Sequence, residues 1–115
     1  MTDLDKLQDI IVKFNEERDW GQFHNPKDTA ISLVLEASEF LEHFQWKNEK
    51  EIKEHLKGSK EAVSEELADV LYWVLLIAHD LDIKLDEALL KKMIKNRTKY
   101  PIEKAKGKHT KYTEL

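Results

Sequence analysis

The chain has 115 residues and a mass of 13.6 kDa, room for one domain with a working core. It contains no cysteine, which excludes a disulfide framework or a thiolate metal site and suits a reducing cytoplasm. The formal net charge of -4 hides an asymmetry: residues 1–83 carry 9 Lys and Arg against 19 Asp and Glu, whereas residues 84–115 carry 10 against 4. An acidic majority repels nucleic acid, so a small anionic ligand shared by both parts is the better-matched partner.

With three Gly and two Pro, the composition favours long helices over turn-rich sheet, and an all-α bundle of four to five helices is predicted. No apolar run reaches the ~18 residues of a membrane span, and the first residues, MTDLDKLQDI, lack the design of a signal peptide. The expectation is a cytoplasmic protein with no membrane association.

In chain order, Leu4, Leu7, Ile10, Ile11 and Phe14 recur at helical spacing behind Thr2 and predict a first helix to about Arg18. After the loop DWGQFHNP, Asn25 caps a second helix over residues 26–44, with Pro26 at its first position and Asp28 near the first-turn amides. Asn48 followed by Glu51 reads as a capping box for a short third helix that stops at Gly58. Ser59 opens a fourth, apolar on nearly every side over residues 70–78 and therefore the predicted buried centre. A fifth runs over residues 85–99 until Pro101 ends it. Residues 1–101 read as one helical domain, and residues 102–115 as a basic tail that orders only by docking on something.

A faint repeat at an offset of 30 sets LVLEASEFLEHF (residues 33–44) against VSEELADVLYWV (residues 63–74), placing Glu36 on Glu66 and Glu39 on Asp69. At about 100° per residue, each i, i+3 acid pair flanks its own apolar stripe, so two packed helices bring four carboxylates together. A single such pair is usually a solvated edge. Asp69, however, lies in an apolar helix without Lys or Arg between Glu61 and Ile83, where a charge needs compensation. A hard divalent cation supplies it. Oxygen ligands favour Mg²⁺, then Mn²⁺, and no E-x-x-H exists to support a di-iron site. Mg²⁺ held by few carboxylates spends its open positions on phosphate oxygens.

On the fifth helix Lys92 and Asn96 interrupt the stripe of Leu85, Leu89, Met93 and Tyr100 and become phosphate candidates, the alternative being a snorkelling lysine and a capping asparagine. Each tryptophan, Trp20, Trp46 and Trp73, adjoins one of these segments and serves either the core or a planar base. His24 and His43 could bond a base or phosphate, or sit at the surface.

The ordered segments ERDWGQFHNP, LEASEFLEHFQW, EELADVL, KMIKNRTKYP and KYTEL resemble, over nearly the whole chain, the MazG-like all-α nucleotide pyrophosphohydrolases of the dCTP pyrophosphatase type. The resemblance implies a homodimer or homotetramer that uses Mg²⁺ to split a nucleoside triphosphate, dCTP or a modified dCTP first of all, into monophosphate and pyrophosphate. It implies Glu36, Glu39, Glu66 and Asp69 as metal ligands. Glu39 or Glu66 would act on the attacking water, since sequence does not separate ligand from base. Trp20, Phe23, His24, Trp46 and Trp73 match segments that enclose base and sugar, and Lys92 and Asn96 match positions near the phosphates. Two positions depart from the animal members: Ile11 stands for a histidine and Trp73 for a tyrosine. Both bear on base selectivity, so dUTP or another non-standard triphosphate is the alternative substrate. A non-catalytic helical interaction module is the alternative of another class.

Overall fold

The computed structural model describes residues 1–115. They form α-helices and short 3-10 turns, with no strand, and divide into two compact units, Met1–Asp82 and Ile83–Leu115. No helix is long and apolar enough to cross a membrane.

In the first unit, α1 (Asp3–Glu17) begins at a reciprocal cap: Asp5 N–H donates to Thr2 Oγ1 at 3.1 Å and Thr2 N–H to Asp5 Oδ2 at 3.0 Å. Asp19, in the left-handed region at φ 52°, turns the chain into a 3-10 segment over Trp20–Phe23. Asn25 then caps α2 (Pro26–Glu42), accepting from Asp28 N–H at 2.9 Å.

Helix α3 (Glu49–Asp80) starts at the predicted box of Asn48 and Glu51. The two helices expected on either side of Gly58 are two helical stretches of α3 that meet at a kink, with residue 59 outside helical geometry. Ser59, at φ -122° and ψ 16°, puts a kink where the sequence suggests a boundary.

The buried apolar side chains Val63, Leu75, Leu76 and Ala78 all lie on α3, which packs against both α1 and α2. A fully buried leucine such as Leu75 contributes about 1.5–3 kcal/mol. Burial covers only part of the 70–78 segment: Leu71, like Leu67 one turn earlier, is exposed. Gln8 ties α1 to α3 by donating to the Leu75 carbonyl at 2.9 Å.

In the second unit, α4 (Leu85–Lys99) ends at Tyr100 before Pro101, as the proline dictates. A one-turn α5 (Ile102–Ala105) and a 3-10 turn at Tyr112–Glu114 follow. The tail docks on the end of α4: the Tyr112 ring meets Tyr100 edge-on at 6.0 Å, and Lys99 Nζ stands 4.7 Å above it. On α4, Leu89, Met93 and Lys92 are exposed and Asn96 is half-buried.

Candidate active site

Helices α2 and α3 are joined by a short turn and pack on each other, so the acidic flank of one meets that of the other. One carboxylate oxygen each from Glu36, Glu39 and Glu66 lies within 4.8 Å of the other two. Glu36 and Glu66 are half-buried and Glu39 is exposed. Two oxygens, Glu36 Oε2 and Glu66 Oε2, are buried with no hydrogen-bond partner. Natural proteins rarely leave buried acceptors unmet, so these two stand ready for a ligand.

The electrostatics agree. Burial, a hydrogen bond with Glu39, and the charges of Glu39, Asp69 and Glu66 push the Glu36 carboxyl from 4.5 up to about 7. Glu66 is raised by burial first, then by its bond with Glu39 and the charges of Glu39 and Asp69, with partial relief from His43. Like charges at this spacing cannot all ionise without a counter-charge. An all-oxygen donor set with two unmet buried acceptors fits a hard divalent cation, and Glu36, Glu39 and Glu66 are the residues that could hold one.

Beside the carboxylates opens a cavity of about 470 Å³, lined by Glu36 and Asp69 at its polar side and by Ile10, Ile11, Phe14, Trp20, Tyr72 and Trp73 elsewhere. Its rings are mutually perpendicular: Phe14 meets Trp20 at 5.4 Å and Tyr72 at 6.3 Å, and Tyr72 meets Trp73 at 5.1 Å. An apolar cavity rimmed by acids suits a flat organic group attached to something that binds cations.

Asp69 is exposed, so the costly burial that sequence assigns to it falls instead on Glu36 and Glu66. Trp20 and Trp73 line the cavity. His24 is absent from the cavity lining; it meets Trp73 edge-on at 5.6 Å and lines two smaller recesses with Gly21 and Asp80. Phe23 is exposed, and Trp46, at φ 69°, is 91 % exposed in the turn after α2. Lys92 and Asn96 belong to α4 in the second unit. His43 pairs with His55, ring nitrogen to ring nitrogen at 2.9 Å, and burial, Lys47 and His43 hold His55 below its usual range.

Sequence reasoning missed Tyr72 and Ile10 as wall residues and counted Phe14 only as core. Tyr72 adjoins Trp73 in an aromatic pair, the one signal that points to it.

Residues 31–115 match the MazG-like family. Over 114 residues, 97% of this chain and 67% of the relative, the chain is 38% identical to dCTP pyrophosphatase 1 of Mus musculus and 39% identical to that of Homo sapiens. Among solved structures, a pyrophosphatase from Archaeoglobus fulgidus DSM 4304 superposes with a TM-score of 0.82 at 39% identity, covering 88% of this chain and 94% of that one.

Proposed function

The chain belongs to the MazG-like family, and on that premise we propose that it is a nucleoside triphosphate pyrophosphohydrolase that takes dCTP or a modified dCTP and releases the monophosphate and pyrophosphate. The observation that carries this reading is the convergence of Glu36, Glu39 and Glu66 at the rim of an aromatic cavity that Asp69 also lines. Acids alone would repel a triphosphate, and rings alone would not select one. Together they divide the substrate into a base for the cavity and phosphates for a cation.

Glu36, Glu39, Glu66 and Asp69 would hold the divalent ion, Mg²⁺ first and Mn²⁺ next. That ion supplies neutralisation of the phosphate charge and a lowered pKa for water. Trp20 and Trp73, with Phe14 and Tyr72, take the base between them and exclude water from one end of the substrate. Cleavage falls between the α and β phosphates. Glu39, the exposed member of the cluster, would accept the proton of the attacking water, and Glu66 is the other candidate. Trp46 and Phe23, both exposed, would close over base and sugar. His24 acts through Trp73, whose ring it supports.

The exposed apolar side chains of α2 and α3 support a homodimer or homotetramer as the working form.

The test is incubation with ribo- and deoxyribonucleoside triphosphates, dUTP included, in Mg²⁺ or EDTA, with product identification. dCMP and pyrophosphate formed only with Mg²⁺ is the expected result. Faster turnover of dUTP would replace the substrate, diphosphate with phosphate would move the cleavage site, and no turnover of any triphosphate would leave the interaction module.

A further inference from the structure

Asn15 has no part in the carboxylate cluster or the cavity lining, yet it is only 4 % exposed, and its amide is committed to the cavity's walls. Its Nδ2 donates to the Ile11 carbonyl at 2.9 Å and to Tyr72 Oη at 2.7 Å. The carbonyl can only accept, which fixes the sense of the amide and makes Tyr72 Oη the acceptor, leaving the hydroxyl its own proton to donate. Ile11 stands on α1 and Tyr72 on α3, so this one side chain spans two helices that line the cavity. Tyr72 in turn sets its neighbours, Phe14 and Trp73, through edge-on contacts.

The arrangement costs stability. Asn15 Oδ1 is buried with no partner, an expense that an apolar side chain of similar size would avoid. Packing alone therefore does not account for an asparagine here.

We propose that Asn15 is a positioning residue for base selection. By holding Tyr72 against α1 it fixes where Tyr72, and with it Phe14 and Trp73, stand in the cavity wall, so that the site accepts a single-ring base and rejects a purine. The inference rests on the pyrophosphohydrolase reading and adds to it the element that sets the wall of the base site.

The test compares wild type, Asn15→Leu, Tyr72→Phe and the double variant, measuring kcat and KM for dCTP and dATP together with thermal unfolding. Asn15→Leu and Tyr72→Phe should each lower the dCTP:dATP ratio of kcat/KM about tenfold, mainly through KM. The double variant removes both polar partners, so it should recover the melting temperature without recovering the ratio. This pair of readouts also covers the case in which Asn15→Leu alone folds poorly. An unchanged ratio in the folded variants, recovery of the ratio together with stability, or a wild type that does not discriminate between the two substrates would each overturn the inference while leaving the enzyme reading intact. A wild type inert toward both substrates and the wider panel overturns the enzyme reading, and the inference with it.

Discussion

Single side chains show where charge is stored before any substrate arrives. Folded, Glu36 keeps its proton up to about pH 7, against 4.5 for a free carboxyl, and Glu66 is raised in the same direction. Between those values the folded chain binds more protons than the unfolded one, so these groups make stability fall as pH rises, with the loss complete above about 7. In EDTA the melting temperature should therefore drop between pH 5 and pH 8. Glu36→Gln should flatten that drop and melt above wild type at pH 8, while losing pyrophosphate release by about 10²-fold or more. Unfolding curves of the two proteins across that pH range check it; parallel slopes would remove Glu36 as the cause. The convergence of Glu36, Glu39 and Glu66 was legible because i, i+3 spacing declares which residues share a helix flank. Asn15 and Tyr72 were not, because a contact 57 residues apart depends on how α1 seats against α3, which no local pattern encodes.

The helices themselves were the most legible level, since caps and periodicity are local. Thr2, Asn25 and Asn48 each cap where sequence places them, and Pro101 stops α4. The boundary read at Gly58 corresponds to the kink at Ser59, with His55 on one side and the Glu66–Asp69 pair on the other. A Cβ built at Gly58 meets nothing within 4 Å, and its φ lies outside the left-handed region, so alanine should fit without strain. Gly58→Ala is expected to raise unfolding free energy by about 0.4–1 kcal/mol in urea titration, with catalysis unchanged. A loss of stability would mean that the kink requires glycine.

At the scale of the whole molecule, what the sequence left open was which apolar faces find cover within one chain. Periodicity marks a face as apolar but does not say against what it packs, and the 70–78 segment illustrates this: its C-terminal half is buried within the chain, while Leu71 is exposed. On α2 the same holds for Ile31, Val34, Leu35 and Leu41, with Val34 63 % exposed, and Leu67 joins Leu71 on α3. Scattered exposed leucines are ordinary, but runs at helical spacing are apolar faces that water disfavours. Because residues 1–83 are strongly acidic, two copies of this unit repel each other at long range, and apolar burial must overcome that repulsion. Added salt screens the charge and should tighten self-association, the opposite of an interface built on ion pairs. Light scattering on the eluting protein should therefore give two or four times the 13.6 kDa of one chain, with dissociation on dilution occurring at lower protein concentration as salt is raised. Val34→Asp, placing a charge on the exposed stripe of α2, should shift the species toward 13.6 kDa while the helical signal stays. A wild type that elutes as a single chain at every salt concentration would show that these faces serve something other than a second copy.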